Sequence, residues 1–389
     1  MNRTVLAILG VLALAVGIGA GVYVSSLATG AAAPSQVAQA TPSPEPTSQP
    51  PASPSAAPSQ GTPPSPTASA APTPSPTPTP VVHLAPLTGE PVEPSVANRR
   101  VIAVMIDDLW AARPQSGLSS ADVVWHAPAE GGIPRYMALF QTTYPKTVGP
   151  VRSSRLYYVG WAAEWGSVYV HAGGSPQAIA YLNSSKGRGG VLYNADWNTN
   201  LYRVTFRSSP HNLYTNRAGL QRIPKSVRAK PVKGQEPVWT FQPDAPLEAR
   251  PQGGTIVVPY RYNQVVYKYD RESNTYRRSV SVEGKQFDAA TDPKVRIAPR
   301  NVIVMKVPFV PTGDRKGRLD GDITGSGPAW ISTNGQTIKG EWRKSSFKGP
   351  TRFFDRDGDP VPLTVGQTFV QVVTQGTKIT VEEGEVPAP

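Results

Sequence analysis

The sequence predicts two folded domains, the first mixing helices with strands and the second built mostly of strands. The chain has 389 residues, enough for two globular domains and additional segments. Apolar runs alternate with helical patterns between residues 85 and 225, whereas strand patterns recur between residues 254 and 382. Residues 226–253 are rich in Pro, Lys and Gln, and we place the connection between the domains there.

Residues 1–28 indicate a membrane anchor or a signal segment. Arg3 precedes an uncharged, mostly apolar stretch from Val5 to Leu27, and about 20 such residues can span a bilayer core. A cleaved signal has a shorter apolar region, and Ala31 to Ala33 would then provide the cleavage site. We expect an uncleaved, single-pass anchor in the cell membrane. Its positive start stays inside, so the rest of the chain is extracytoplasmic.

Residues 29–84 predict a disordered linker. Residues 34–80 are almost wholly Pro, Ser, Thr, Ala and Gln, and such a composition cannot bury an apolar core. At ~3.1 Å per residue in a polyproline helix, the segment would reach roughly 100–150 Å. It would hold a domain away from a membrane, or serve as a passive or glycosylated spacer. Both interpretations place the globular part outside the cell.

The charge of the chain is concentrated in the predicted domains. The net charge is +12, and residues 1–80 contain only Arg3 and Glu45, which cancel. A basic folded part suggests an anionic partner, although a solvated basic surface without a partner is the alternative. The absence of cysteine excludes disulfides, thiol nucleophiles, Cys-bound metals and a lipid-modified N-terminal Cys.

The first domain contains four runs that predict strands and three segments that predict helices. The strands are Val101–Ile106, Ala121–His126, Tyr136–Gln141 and Val168–Val170. The helices are Leu156–Trp165, Ser175–Leu182 and Thr215–Arg222. Ser175 is expected as the N-cap of the second helix, with Pro176 at its first position. Residues 183–200 are polar and rich in Gly and Asn, which predicts a surface loop.

The second domain is predicted as a series of strands. These are Gly254–Tyr260, a hairpin of Gln264–Asp270 and Thr275–Val282, Asn301–Val310, Ile331–Trp342, Thr351–Phe354 and Thr368–Thr374.

The run Gly149–Arg155 is the centre of the predicted site. A Gly-Pro turn leads into a segment that can form a helix, and free N–H groups there would attract an anion. Arg152 and Arg155 would bind phosphate or carboxylate, with Ser153 and Ser154 as further donors. The alternative is internal pairing, in which these guanidiniums hold carboxylates of the protein itself.

Carboxylates and imidazoles elsewhere in the first domain are candidates for the same site. Asp107 and Glu130 could act as general acid and base, but salt-bridged structural carboxylates are the alternative. Ser175, His211 and Asp107 have the composition of a nucleophilic triad, but Pro176 favours a capping role for Ser175. The sequence lacks established metal-binding and nucleotide-binding motifs, and we expect no metal and no cofactor.

The complete set of predicted ligand-binding residues comes from several short motifs. It consists of Asp107, Arg113, Glu130, Arg135, Arg152, Ser153, Ser154, Arg155, His171, Ser175, Arg203, His211 and Asn212. His83 and His126 are expected outside the site. The aromatic residues Trp125, Tyr157, Tyr158, Trp161 and Trp165 are expected in the core rather than in a carbohydrate groove.

Seven motifs follow one another along the first domain: Pro86–Gly89, Val104–Asp107, Ala112–Leu118, Glu130–Gly132, Gly149–Arg155, His171–Ser175 and Pro210–Tyr214. Their order resembles the bacterial YerB-like family, a family of unknown function (DUF3048). Asn301–Val304 and residues 357–368 resemble its C-terminal half. The resemblance implies an α+β protein with an N-terminal mixed α/β sandwich and a mostly β C-terminal domain, held at the bacterial envelope. Members are often lipoproteins, and here the apolar anchor would replace the lipid.

These observations favour an envelope-anchored binding protein. It would recognise an anionic envelope ligand, such as a wall polymer or a peptidoglycan fragment, through a cleft lined by Arg, Ser and His. A hydrolase or transferase acting on cell-wall glycan or phosphate is one alternative, and a scaffold for envelope proteins is another. Nucleic acid is not expected, because an extracytoplasmic location removes the usual target and no nucleic-acid-binding motif is present.

Overall fold

The computed structural model describes residues 82–188, 192–232, 234–282, 284–289 and 295–386. The predicted membrane segment and nearly all of the predicted linker lie outside these residues. Within them, no helix is both long enough and apolar enough to cross a membrane.

The described chain is mostly β. In its first half the strands are β1 His83–Leu84, β2 Pro91–Val92, β3 Ile102–Asp107, β4 Val123–Pro128, β5 Pro134–Phe140, β6 Thr147–Val148, β7 Val168–His171, β8 Tyr193–Asp196, β9 Tyr202–Arg203 and β10 Leu213–Asn216. In its second half they are β11 Phe241–Gln242, β12 Thr255–Pro259, β13 Gln264–Asp270, β14 Thr275–Val280, β15 Gly284–Lys285, β16 Phe287–Asp288, β17 Val295–Arg296, β18 Asn301–Val307, β19 Phe309–Pro311, β20 Leu319–Gly321, β21 Gly325–Thr333, β22 Gln336–Lys344, β23 Arg352–Phe354, β24 Leu363–Thr364, β25 Thr368–Thr374 and β26 Thr380–Glu382.

The helices are few and short, and they lie in the first half. They are α1 Pro94–Ala97, α2 Leu156–Ala163, α3 Pro176–Asn183, α4 Ser185–Arg188 and α5 Arg217–Ser226. Helix α3 begins as the sequence predicts, because the Ser175 side chain accepts a hydrogen bond from the Ala178 N–H at 3.3 Å and Pro176 occupies the first helical position. Single turns of 3₁₀-helix cover Trp110–Ala112, Leu118–Ser120, Glu130–Gly132 and Leu247–Ala249.

One sheet of ten strands joins both halves of the chain, in the order β23-β22-β21-β18-β25-β4-β5-β3-β7-β8. Strand β25 from the second half lies parallel to β4 from the first, with Val123 opposite Thr368. Strand β3 is parallel to β7, and β7 is parallel to β8. Because β5 is antiparallel to both β3 and β4, these last two strands run in the same direction. Their carboxyl ends therefore lie along one edge of the sheet.

The sheet is covered on both faces, which explains why its central strands are continuously apolar. Alternate residues of β3 point to opposite faces, with Ala103 and Met105 in one apolar cluster and Ile102 and Val104 in the other. Helices α2 and α3 cover the first face, where Trp125 stacks on Trp161 with ring centroids 4.6 Å apart. The aromatic residues of β4 and α2 are buried, as the sequence predicts. Helix α5 and a five-stranded sheet, β15-β14-β13-β12-β26, contribute to the second cluster.

Several predicted elements differ from the structure. The last residues of the predicted linker, 29–84, include strand β1, and the predicted strand Asn301–Val310 is divided between β18 and β19. The segment 183–200, predicted as a surface loop, contains helix α4 and strand β8, which forms an edge of the large sheet. The segment Ile331–Trp342, predicted as one strand, belongs to two strands that turn at Asn334 and Gly335, both with positive φ. The Asn-Gly pair is a typical signal for such a hairpin.

Candidate functional site

The candidate site lies at the edge of the sheet where parallel strands end. Strand β3 ends at Asp107, β7 at His171 and β8 at Asp196. Open sheets with parallel strands commonly bind ligands outside these carboxyl ends. The sequence predicts that polar groups meet here, and the fold brings them together.

Asp107 is the residue on which the first cluster converges. Its Oδ2 lies 2.9 Å from the Arg152 Nε and 2.7 Å from the His211 Nδ1. Its Oδ1 accepts a hydrogen bond from the Leu109 N–H at 3.1 Å. The carboxylate is buried, whereas the side chains of Arg152 and His211 are 20% and 16% exposed. Both therefore present polar groups to solvent at the end of β3.

The backbone around Arg152 is extended rather than helical. The Asp107 N–H donates to the Pro150 carbonyl at 2.9 Å, and the Arg152 N–H donates to the Met105 carbonyl at 3.0 Å. Helix α2 begins only at Leu156, with Arg155 in extended conformation before it. Arg152 and Arg155 therefore lie in extended backbone before the helix, and their guanidiniums contact different acids.

Glu130 is the acid that holds Arg155. It contacts the guanidiniums of both Arg155 and Arg135, the latter at 2.7 Å. These two guanidiniums also donate to the carbonyls of Ser153 and Ser154. Both Arg side chains are buried, and burial lowers the pKa of each. Arg155 therefore pairs with a carboxylate of the protein itself, which is the alternative to anion binding given in the sequence analysis.

His171 is fully buried beside the first cluster. Its Nδ1 lies 2.8 Å from the Gly173 carbonyl and 3.2 Å from Asp196, and its Nε2 lies 2.8 Å from the Asn194 Oδ1. Asp196 also accepts from the Gly173 N–H at 2.7 Å. Because both ring nitrogens face acceptors of the protein, His171 positions the loop after β7.

The two serines of the central motif differ in exposure. Ser154 is buried, and its hydroxyl shares a 2.7 Å hydrogen bond with the Tyr169 hydroxyl. Ser153 is half-buried and holds Arg135 through its carbonyl. Ser175 caps helix α3, which uses its hydroxyl as an acceptor. These contacts assign Ser154 and Ser175 a structural role.

Arg203 and Asn212 extend the His211 side of the site. The Arg203 guanidinium donates to the Asn212 Oδ1 at 2.6 Å, and Arg203 is exposed. Asn212 directly follows His211 and precedes β10, which pairs with β9. We call the surface formed by Arg152, Arg203, His211 and Asn212 the Arg152 surface.

Asp108 faces a second cluster, which includes the predicted residue Arg113. Its Oδ1 accepts from the Arg113 Nε at 2.9 Å and from Gln115 at 3.0 Å, while its Oδ2 lies 2.9 Å from the His126 Nε2. Burial opposes ionisation of Asp108, but the hydrogen bond and charge of His126, with Arg113 and Arg278, outweigh it and lower its pKa. Asp107 and Asp108, which are adjacent at the end of β3, thus belong to two different clusters.

His126, which the sequence places outside the site, is the centre of this second cluster. Its Nδ1 lies 2.9 Å from the Gln371 Oε1, its ring stacks on Tyr136 at 4.2 Å, and burial lowers its pKa. Gln371 in turn donates to the Tyr267 hydroxyl, which accepts from Arg278. An ionisable residue within an apolar strand, such as His126 in β4, requires a buried polar partner. That requirement is the signal from which the sequence could have predicted this cluster.

An open cleft of about 500 Å³ adjoins the turn that follows Glu130. Gly131, Gly132, Tyr260 and Arg261 are among its lining residues, and Arg261 donates to the Gly131 carbonyl at 3.0 Å. Within the described part of the chain, no group of three or more His, Cys, Asp and Glu is arranged to hold a metal ion.

Comparisons with known proteins give the family of the chain. The N-terminal domain of DUF3048, described as a protein of unknown function, matches residues 87–233, and the C-terminal domain of that family matches residues 256–370. The "Putative lipoprotein YerB" of Bacillus subtilis (strain 168) is 33% identical over 309 residues, which cover 77% of this chain and 89% of that protein.

A solved structure shows the same relationship. The crystal structure of the YerB protein from Bacillus subtilis superposes with a TM-score of 0.66 at 30% sequence identity, and the match covers 76% of this chain and 99% of that one. The motifs, the two matching domains and the shared fold agree, and the chain belongs to the YerB-like DUF3048 family.

Proposed function

We propose that this protein is an extracytoplasmic binding protein, tethered to the cell envelope, that recognises an anionic envelope polymer at the Arg152 surface. The observation that carries the proposal is the convergence of Arg152 and His211 on Asp107, with both side chains still partly exposed. An Arg side chain has five N–H donors, and the Arg152 Nε lies within ion-pair distance of Asp107 without forming a hydrogen bond, which leaves the two terminal NH₂ groups. The remaining donors are suited to phosphate or carboxylate.

Two observations support the envelope location. The Bacillus subtilis relative is named a putative lipoprotein. This sequence contains no cysteine to carry a lipid, so the apolar stretch within residues 1–28 would serve as the anchor. The Pro-rich linker would then carry the domain to polymers at some distance from the membrane.

The contacts of the site favour binding over hydrolysis or group transfer. A nucleophilic serine needs a free hydroxyl beside a base, but the Ser175 hydroxyl accepts from the Ala178 N–H. His171 is buried between acceptors, and the hydroxyl of Ser175 is not among the contacts of His211, whose Nδ1 faces Asp107. Arg152 and Arg203 remain as donors at the protein surface, which suits recognition of an anion.

Co-sedimentation of the full-length protein, kept in detergent, with purified bacterial cell wall tests the proposal. We expect saturable binding that weakens as salt increases, because exposed charges are screened. The substitution Arg152→Ala should lower the affinity about tenfold, as loss of a charge-assisted contact does. Arg352→Ala is the matched control. Arg352 is an exposed arginine on β23, which is the outermost strand of the large sheet at the end opposite to β8.

The proposal fails if cell wall does not retain the protein at low salt. It also fails if Arg152→Ala and Arg352→Ala bind equally well while both variants keep the circular dichroism of the native protein.

A further inference from the structure

Two depressions meet at Trp110 and Arg113, beside the second cluster. One has a volume of about 240 Å³ and is lined by Tyr262, Asn263 and Val282 in addition to these two residues. The other has a volume of about 320 Å³ and is lined by Gln286, Lys285 and Phe287 on its far side. We call the two depressions together the Trp110 groove. It shares no residue with the Arg152 surface.

Large aromatic side chains stand exposed at this groove. Trp110 is 62% exposed and Tyr262 is 58% exposed, although burial of such rings is normally favourable. Trp110 lies on a 3₁₀ turn that is fixed at its end, because Arg113 binds Asp108 and Arg207 donates to the Pro114 carbonyl at 2.7 Å. An exposed aromatic ring on a fixed turn suits an apolar, flat surface of a ligand.

Two amide oxygens of the groove residues have no hydrogen-bond partner, the Oε1 of Gln286 and the Oδ1 of Asn263. The contacts of Gln115 decide which atom of the Gln286 amide is the nitrogen and which is the oxygen. Gln115 uses its Nε2 to donate to the Asp107 carbonyl and to Asp108, so its Oε1 must accept, and the Gln286 Nε2 donates to it at 3.2 Å. Gln286 is 6% exposed, and its own Oε1 is therefore a buried acceptor that lacks a donor.

An exposed positive charge, that of Lys285, stands at the groove. Lys285 is exposed and the Arg113 side chain is 8% exposed, whereas the Asp108 side chain at the base is fully buried and bound by Arg113 and His126. A ligand for this groove therefore combines an apolar ring face, donor groups for the two amide oxygens, and negative charge. An oligoproline segment also docks on aromatic rings, but proline has no N–H to donate.

We infer that the Trp110 groove binds the sugar rings of an acidic saccharide chain. The ring faces stack on Trp110 and Tyr262. The hydroxyl groups donate to the amide oxygens of Asn263 and Gln286 after these side chains turn toward the groove, because neither oxygen faces solvent in the free protein. Carboxylate or phosphate groups of the chain lie near Lys285. This inference names the chemical class of the polymer in the proposed function, and it rests on that function for the biological source of the polymer.

Isothermal titration of the full-length protein in detergent with an oligogalacturonate tests the inference. We expect saturable binding, with Kd below about 1 mM. Trp110→Ala and Tyr262→Ala should each weaken binding about tenfold, and both side chains are exposed enough for the variants to fold. Leu247→Ala is the control, because Leu247 is a 42% exposed apolar side chain on the 3₁₀ turn Leu247–Ala249, and that turn leads to Arg250, which contacts Arg271 beyond the end of β13 opposite to Tyr262. Chitohexaose, a neutral sugar chain, should bind more weakly with the same dependence on Trp110.

Each other outcome has a defined meaning. No saturable binding of either saccharide overturns the inference, as does tighter binding of an oligoproline peptide. A dimer in analytical ultracentrifugation that Trp110→Ala dissociates would assign the groove to a second copy of the chain. Binding lost in Arg152→Ala but unchanged in Trp110→Ala overturns the inference and leaves the proposed function intact. The reverse pattern supports the groove and contradicts the Arg152 surface.

Discussion

Gly149, at the start of the central motif, occupies a position where a side chain does not fit. Its φ is +149°, and an added Cβ would lie 2.7 Å from a ring carbon of the buried Tyr214. We expect Gly149→Ala to lower the free energy of unfolding by about 2 kcal/mol or more, through backbone strain and overpacking. Urea unfolding followed by circular dichroism measures this.

Gly131→Ala is a suitable control for the Gly149 substitution. Gly131 also has a positive φ of +59°, but no atom lies within 4 Å of an added Cβ. We therefore expect Gly131→Ala to lower the free energy of unfolding by only about 1 kcal/mol, which is the cost of the backbone conformation alone. Equal losses in both variants would show that contact with Tyr214 does not constrain Gly149.

Asp122 gives the structure a pH dependence at the scale of one residue. Burial raises the pKa of Asp122 to about 6, although Thr142 and the Gln141 N–H donate to its carboxylate. Between the unfolded pKa near 4 and the folded value, the native state binds more protons, so stability falls as pH rises through this window. Relative to Asp122→Asn, the unsubstituted protein should lose about 2 to 3 kcal/mol of unfolding free energy between low pH and pH values above 6.

Urea unfolding of both proteins at several pH values measures the Asp122 effect. The unfolding free energy of the unsubstituted protein minus that of Asp122→Asn should decrease from about pH 4 to about pH 6 and then stay constant. If the two curves remain parallel across this range, Asp122 is ionised in the native state with an ordinary pKa.

Single residues also mark the limit of sequence reasoning about the site. Asp107, Arg152 and His211 were predicted to meet, because each lies in a short polar motif, and the structure places them within hydrogen-bond distance. The network of His126, Gln371 and Arg278 was not predicted, because its members lie in apolar or alternating strands far apart in the chain. The pairing of β25 with β4 brings His126 beside Gln371, and the hydroxyl of Tyr267 joins Arg278, from the five-stranded sheet, to Gln371.

At the scale of elements, a buried ion pair connects helix α2 to the second half of the chain. Glu164 follows the last turn of α2, and its Oε1 lies 2.6 Å from the Nζ of Lys344 at the end of β22, with both side chains fully buried. Burial raises the pKa of Glu164 and lowers that of Lys344. Removal of one partner leaves the other as an uncompensated buried group.

We expect Lys344→Met to destabilise the protein by about 3 to 5 kcal/mol. Lys339→Met, at an exposed lysine of the same strand, should change the stability by less than about 0.5 kcal/mol. The double variant Lys344→Met with Glu164→Leu should recover part of the loss. A double-mutant cycle from urea unfolding measures the coupling, and a coupling near zero would contradict the connection.

Most elements were predictable from local patterns. The capping serine and first-position proline locate the start of α3, a continuous apolar run locates β3, and a run rich in Val, Thr and Phe locates β25. Strand β8 was missed, because its residues Tyr193–Asp196 are mostly polar and half-buried and lie at the edge of the sheet. Its pairing with β7 and not its composition makes it a strand. The order of strands in the large sheet depends on long-range pairing that no local pattern contains.

At the scale of the whole molecule, the two family domains share one sheet. Strand β25 lies between β18 of its own half and β4 of the first half, and it pairs with both in parallel. Separation of the halves would expose the edges of two apolar strands. We therefore expect one cooperative unfolding transition for residues 82–386, with coincident urea curves from tryptophan fluorescence and circular dichroism. Two separated transitions would show that the halves are stable independently.

The central claim is that a negatively charged envelope polymer binds beside Asp107, at Arg152 and His211. The chain has four histidines, so each ring resonance of selectively labelled protein can be assigned by substitution. We expect titration with solubilised anionic cell-wall polymer to shift the His211 resonance, while the resonance of the fully buried His126 stays in place. In Arg152→Ala the His211 shift should be reduced at equal polymer concentration. An unchanged His211 resonance, with polymer binding demonstrated in the same sample, would contradict the account.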